Sequence, residues 1–282
     1  MTSYNRPERI GATLRSLSQQ TLQPDEIIIA DDLSPNDPTE EVERHRHLFA
    51  QPFNYLRREK NLGMPGNLND LLARTKGDII VNVHDADEFA PNYLEQLVTA
   101  IEQDERIGMA FTGWTFTDAP ERRHLPDIPA VTPGRTFFRR YLMRSLSCPI
   151  WGTVALRRSV YLAHGPLDSQ FGPLADVDYW ARVCLTHDIA FIREPLLILY
   201  PVGTHGNEWR WSRFDWGRQI NAANIRRHLQ AEPGSLRWEL VRHWFRYLGE
   251  YCFGMMHLIR RARWSRVFEG LAMLPAVLFR SG

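Results

Sequence analysis

The strongest constraint in this chain is a repeated alternation: short apolar runs end on acidic residues, and segments of helical periodicity separate them. Glu26-Ile27-Ile28-Ile29-Ala30 leads into Asp31-Asp32, and Ile79-Ile80-Val81-Asn82-Val83 leads into His84-Asp85. Continuous β-branched runs of this kind fit strands covered on both faces. Around them, Ile10, Leu14 and Leu17 recur at helical spacing behind Pro7, a favourable first-turn residue. Further helices are expected over Thr39 to Leu48, around Leu68, Leu71 and Leu72, and along Leu94, Leu97, Val98 and Ile101. Strands are expected near Phe53 to Arg57 and Gly108 to Phe116. Such alternation predicts an α/β fold, a Rossmann-like, mostly parallel sheet with helices on both faces. Ligands of such sheets bind beyond the carboxyl ends of the strands. Both acidic clusters, Asp31-Asp32 and Asp85-Ala86-Asp87, stand there.

Downstream, Asp118 to Arg135 is rich in Pro and charge and reads as a loop. A helix over Thr136 to Leu146, a strand over Ile150 to Arg157, a helix from about Asp176 and an apolar stretch from Ala190 to Tyr200 follow. After Glu208 the tail reads as helical, broken at Pro233-Gly234. The chain is therefore divided at residues 1–118, 119–207 and 208–282, the first two as halves of one domain. The tail differs in composition: from Trp209 onward it holds thirteen Arg against five acidic residues, and six of the nine Trp. The net charge of the whole chain is only +1, which excludes nucleic acid as an expected partner. Three well-separated cysteines suggest reduced thiols and a cytoplasmic protein. No signal peptide and no run of about 20 apolar residues is seen, so a membrane would be met from the side.

Asp85 and Asp87 are the first candidates for chemistry. Two carboxylates one residue apart at a strand end repel each other, and a divalent cation relieves the repulsion. Magnesium and manganese favour oxygen ligands, typically one or two carboxylates completed by substrate phosphates. The competing reading is a solvated acidic turn, or a cap on the helix beginning near Pro91-Asn92.

Tyr4-Asn5-Arg6-Pro7, Leu14, Ser16-Leu17 and Gln20-Thr21 resemble the opening of a family 2 glycosyltransferase. The likeness continues through Pro24 to Asp32, Ser34, Asn61-Leu62-Gly63, Asn69, Lys76-Gly77-Asp78 and Asp85-Ala86-Asp87. The resemblance implies a GT-A fold with a helical C-terminal appendage. It implies an inverting, metal-assisted transferase that moves a sugar from a nucleotide diphosphate donor, UDP-linked by expectation, to a glycan or lipid-linked acceptor. Carried onto this chain, Thr2, Tyr4 and Asn5 line the nucleotide pocket, and Asp32 accepts the imide N–H of uracil. Asp85 lies by ribose or sugar, Asp87 holds Mn2+ or Mg2+, and Asn69 is a weaker donor-side candidate. Leu68 stands where many relatives carry Arg.

Leu167 to Phe171 leading into Asp176-Val177-Asp178-Tyr179-Trp180 resembles the acceptor-side motif, with Asp176 as general base and Asp178 as its fallback; Ala175 replaces the motif's first acid. Asp176 is equally a first-turn carboxylate favoured by the helix dipole. His205 resembles a late histidine that relatives place on metal or diphosphate, and Trp151 and Trp180 offer flat faces to sugar. The family's opening apolar strand has no counterpart before Met1, so the strand is expected either to lie upstream, the preferred reading, or to be missing from a weakened remnant. Leu240, Trp244, Leu248 and Tyr251 share one helical face among arginines, which suggests peripheral contact with an anionic membrane on the inner face of the cell, or a plain helical cover. The rival functions are a non-catalytic sugar-nucleotide-binding module and a phospho-acceptor receiver-like domain.

Overall fold

The computed structural model describes residues 1–142, 149–150, 152–201, 211–231 and 237–279. They fall into two compact units, one carrying Met1–Leu142 with the residues described up to Pro201, the other the tail. In chain order the first unit begins β1 (Thr2–Ser3), α1 (Pro7–Ser18), β2 (Ile27–Asp31), α2 (Thr39–His45), β3 (Phe53–Arg57), α3 (Gly63–Arg74) and β4 (Ile79–Val81). It continues with β5 (Glu88–Phe89), α4 (Tyr93–Glu102), β6 (Ile107–Phe116), β7 (Val131–Thr132), α5 (Gly134–Phe137), β8 (Ala155–Arg157), α6 (Arg158–His164), α7 (Ala175–Val183) and β9 (Asp188–Leu199).

The isoleucine run forms β2, buried along its whole length, and pairs in parallel with both β1 and β3. The opening strand is thus not missing: it is present as two residues in register with Ala30 and Asp31. Its far side meets the end of β4, through a parallel bridge from Thr2 to His84 and a bond from the Thr2 N–H to the Val83 carbonyl of 3.4 Å. The second sheet runs β4-β8-β6-β9-β5, with β7 also on β9. Here the expectation of a mostly parallel sheet holds for β6–β9 alone; the other pairings are antiparallel, since β8 runs between β4 and β6 in the opposite direction and the two-residue strands β5 and β7 each lie antiparallel to β9. Ile10 and Leu14 of α1, Leu97 and Ile101 of α4, Ile29, Ile107 and Leu197 are buried together, so the helical stripes read from the sequence do face the core.

Local boundaries moved where tertiary packing overrode periodicity. The helix expected from Thr136 becomes α5 followed by a π-helical turn at Phe138–Leu142, which buries Phe137, Phe138 and Leu142. The strand expected from Ile150 shrinks to β8. The loop after Asp118 contains β7 and an antiparallel bridge between Trp114 and His124, whose rings stack 3.7 Å apart.

Helix α7 is anchored by a buried ion pair. Asp178 is fully buried and accepts from Arg182 Nε at 3.0 Å, while the same guanidinium donates to the carbonyls of His164 (2.6 Å) and Pro166 (2.8 Å). Breaking one side of such a pair strands the other charge, so Asp178→Ala should lower stability by about 3 kcal/mol in urea unfolding.

The tail folds as α8 (Trp211–Ala231), α9 (Arg237–Arg260) and α10 (Trp264–Phe279) around Phe214, Tyr247, Tyr251, Leu258 and Val267. Asn221 Nδ2 donates to the Tyr247 hydroxyl (2.7 Å), and the Tyr251 hydroxyl to the Gly270 carbonyl (2.9 Å). Pro233-Gly234, read as the break in the tail, lies outside the described residues; a second break falls at Ala262, whose φ of 52° is the left-handed stop that closes α9.

Candidate active site

Because β1 lies between β2 and the end of β4, the residues that follow these three strands must converge. They line one cleft of about 500 Å3, whose walls include Thr2, Tyr4, Arg6, Asp32, His84 and Asp85. Asn61, just before α3, and Gly63 and Asn67 from its first turns also line it.

Of the two acids ending β2, only one faces this cleft. Asp31 is consumed by structure: Oδ2 accepts from the Ser34 N–H (3.0 Å) and lies 3.4 Å from Arg57 Nε, and Oδ1 accepts from the Ser34 hydroxyl. Asp32 turns the other way. Its Oδ1 accepts from the Leu62 N–H at 2.7 Å, its carbonyl accepts from Asn61 Nδ2 at 3.0 Å, and its Oδ2 has no partner among the described residues. A carboxylate held at one oxygen with the other turned to a cleft is a fixed acceptor for a ligand N–H or hydroxyl.

Asp85 is buried at the cleft wall and accepts from the Tyr4 N–H at 2.9 Å, with Arg6 Nη1 at 3.8 Å. Burial pushes its carboxyl above the usual carboxylate range, against the opposing pull of the Tyr4 N–H and the Arg6 charge. The negative charge at this wall is therefore only partly compensated by protein groups. Asp87 lies one step behind. Its Oδ2 is 3.5 Å from His84 Nδ1 and accepts from the Thr153 hydroxyl at 3.4 Å, and its carbonyl accepts from Thr13 at 2.8 Å. So Asp32 and Asp85 share the cleft directly, and Asp87 adjoins it through the His84 ring.

His84 also connects this wall to Asp176. A Cβ at Gly152 would stand 3.0 Å from His84 Nε2 and 3.3 Å from Asp176 Oδ2, so the glycine keeps open the space on which both side chains border. Asp176 occupies the first turn of α7, partly exposed, with Oδ1 accepting from the N–H of Val177 at 2.8 Å. Asp178 is committed to Arg182 and does not share this position. The sequence assigns no site role to His84, Arg6, Asn61 or Gly152. Arg6 and Asn61 lie within the motifs that carry the family resemblance and His84 directly precedes Asp85; nothing in the sequence ties Gly152 to a histidine so far upstream.

Other candidates are placed elsewhere. Asn69 spends its amide on the backbone of Leu167, donating to the carbonyl (2.9 Å) and accepting from the N–H (2.8 Å), which clasps α3 to the segment before α7. Asn5, in the left-handed region at φ 57°, donates its N–H to the Ser34 hydroxyl (2.7 Å) and accepts from Asn36 Nδ2 (3.1 Å), bracing the loop beside the cleft. Leu33, at φ 58°, lines the cleft itself. Strained backbone of this kind clusters at functional sites. Trp180 is buried and packed edge-on against Tyr179, so it offers no face to a sugar. His205 and Trp151 lie outside the described residues.

The glycosyl transferase family 2 model matches residues 1–165, the stretch that contains every cleft residue named above. The chain belongs to this family. Membership removes the receiver-like reading. A Haemophilus influenzae protein described as an uncharacterized glycosyltransferase is 27% identical over 64% of this chain and 59% of its own length. A Methanocaldococcus jannaschii protein of the same description is 25% identical over 73% of this chain and 71% of its own. The chain spans about three fifths of the length of the first curated relatives it matches. Among solved structures, S. aureus TarS superposes with a TM-score of 0.63 at 17% identity, covering 85% of this chain and 67% of TarS. The mannosyltransferase PcManGT of Pyrobaculum calidifontis, solved with GDP-Man and Mn2+, gives 0.60 at 16% identity over 100% of this chain and 86% of its own. These likenesses establish the GT-A fold expected for a family 2 chain.

Two outcomes follow for this site. Asp85→Asn should stabilise the ligand-free protein by about 1 kcal/mol at pH 7, since function-bearing buried charge commonly costs stability. Because the folded carboxyl is raised, that gain should disappear below the ordinary carboxylate range, where Asp85 is protonated in both states; thermal melts at pH 7 and pH ~3 read the difference. Gly152→Ala should displace the His84 ring and cut turnover about tenfold or more while leaving the melting temperature nearly unchanged.

Proposed function

We propose that this family 2 chain transfers a sugar from a nucleotide diphosphate donor, of the UDP-sugar class, onto a hydroxyl of a glycan or lipid-linked acceptor. The observation that carries this reading is the convergence of Asp32 and Asp85 on one cleft beyond β1, β2 and β4. TarS has been solved with UDP and with UDP-GlcNAc, and PcManGT with GDP-Man, which supports a nucleotide-sugar in the corresponding cleft.

In this reading the open Oδ2 of Asp32 accepts the imide N–H of uracil, and the half-exposed Tyr4 flanks the base. Asp85 borders the ribose and sugar. Arg6, partly exposed beside Asp85, brings positive charge toward the diphosphate, a role the buried Leu68 does not fill. The donor set suits a divalent cation: two buried carboxylates, one of them undercompensated, beside an imidazole. Among the described residues no three acidic, histidine or cysteine side chains form a complete cage, so diphosphate oxygens would complete the shell, as Mg2+ and Mn2+ sites often require. Asp85 and Asp87 are the residues that would hold the cation, which when bound neutralises charge on a departing diphosphate.

Asp176 takes the proton from the acceptor hydroxyl. The acceptor oxygen bonds to the anomeric carbon as the bond from that carbon to the diphosphate oxygen breaks; the proton ends on Asp176 and the electron pair leaves with the nucleotide. Attack opposite the leaving group inverts the anomeric centre. The alternative of a binding module without turnover shares the donor cleft and differs only in Asp176.

Calorimetric titration with UDP, with and without manganese, tests the donor site, and Asp32→Ala should weaken UDP at least about tenfold. Asp176→Asn should lower transfer about 100-fold with UDP affinity unchanged. Wild-type protein that binds no nucleoside diphosphate would overturn the reading, and full transfer by Asp176→Asn would remove the base.

A further inference from the structure

The stripe that looked membrane-facing in the sequence is turned inward. Tyr251 is buried in the core of the tail unit, Leu248 packs against that core, and Trp244 is only partly exposed; the side chain of Leu240 is outside the described set. Helix α9 nevertheless carries a second apolar stripe, and this one is exposed. Trp238 (77%), Val241, Phe245 (62%), Phe253 (60%), Met256 and Ile259 project to solvent, at spacings that keep them on one side of the helix. Along the axis they extend for about 30 Å. Helix α10 repeats the pattern with Trp264, Phe268 (67%) and Leu271 at intervals of four and three.

Scattered exposed apolar residues need no explanation, but an aligned row of large ones is a contact surface. Its charge setting selects the occupant. Arg242 and Arg260 are exposed and border the α9 row at one edge, and Arg261 and Arg263 are exposed in the turn between the helices. Of the acids on these helices whose side chains are described, Glu250 is half-buried on another side of α9, and burial pushes its carboxyl up, and Glu269 is exposed on α10; the side chain of Glu239 on α9 is outside the described set. Among the described residues no helix is long and apolar enough to cross a bilayer. An amphipathic helix with aromatic residues on one face and arginines at its edge lies in the plane of an anionic headgroup layer.

We infer that the exposed row of α9, with the matching row of α10, docks on an anionic lipid surface. This does not rest on the transferase reading, because it concerns lipid binding and not turnover.

Flotation of the whole protein with phosphatidylglycerol vesicles tests it, with phosphatidylcholine vesicles as the uncharged control. Wild type should float with the anionic vesicles and lose most of that binding in high salt. Phe245→Glu with Phe253→Glu should reduce the bound fraction about tenfold or more, and Arg260→Glu with Arg261→Glu should reduce it on anionic vesicles alone. All four positions are exposed, and circular dichroism confirms that the variants fold. Failure to float on anionic vesicles, or flotation insensitive to the aromatic changes, would overturn the proposal. So would a dimer, measured by light scattering, that the aromatic changes dissolve while vesicles are ignored; the row would then be a self-association face. UDP binding, measured in parallel, should be the same in all variants.

Discussion

The site depends on one piece of backbone pairing: the two residues of β1 held between β2 and the end of β4. The Ala30 N–H donates to the Met1 carbonyl (3.0 Å), the Asp32 N–H to the Ser3 carbonyl (2.9 Å), and the Thr2 N–H to Val83 (3.4 Å). Strand neighbours lie a few ångströms apart, so this ladder forces the residues after β2 and after β4 to opposite walls of one narrow opening. Met1 itself is buried among Ile10, Ile29 and Val83, which anchors the short strand by packing as well as by its ladder. Take away that register and Asp32 and Asp85 are simply two acids at the ends of two strands.

Convergence brings an electrostatic cost, and the protein leaves part of it uncompensated. Asp31 and Asp178, equally buried, are tied to Arg57 and Arg182. Asp85 has no such close pairing: a backbone N–H, a partly exposed arginine at 3.8 Å and weaker contributions from Ser3 and His84 do not offset burial, which pushes its carboxyl upward. The contrast separates structural from functional acids more sharply than burial alone. Carboxylates that fold the chain are matched within it, whereas those facing the cleft keep an oxygen or a charge for something else. The strained backbone at Asn5 and Leu33, both beside this opening, fits the same division.

Much of this was legible in the sequence. Buried runs ending on acids located the strands and the cleft, because a β-branched run with no polar alternation has few other solutions. The limits came where local pattern had to decide a long-range question. Asp31 and Asp32 are chemically identical, and strand alternation says only that they point to opposite faces, not which face is the cleft. Asn69 looked like a donor contact because it sits among motif residues, but its partner is Leu167, 98 positions away, a pairing that no local signal carries. His84 gains its place from a glycine brought beside it by β8, a strand that the apolar pattern located but whose antiparallel direction no local signal gives.

The tail shows the same limit for helices. A stripe at helical spacing says that a face is apolar; it does not say whether that face is the one buried. Helix α9 carries two such stripes. Its core needs one, which Tyr247, Tyr251 and Leu258 fill against Phe214 and Val267. The second, running through Phe245 and Phe253, contributes nothing to that core and exposes large apolar side chains to water. Burying such a residue is worth roughly 1.5–3 kcal/mol, so leaving a row of them in water forfeits stabilisation that small or polar residues would not put at stake. Folding of the tail gives no reason for them, and the arginines bordering them do not make them more soluble as a row. Their arrangement makes physical sense as a surface with a partner that is apolar below and negative above.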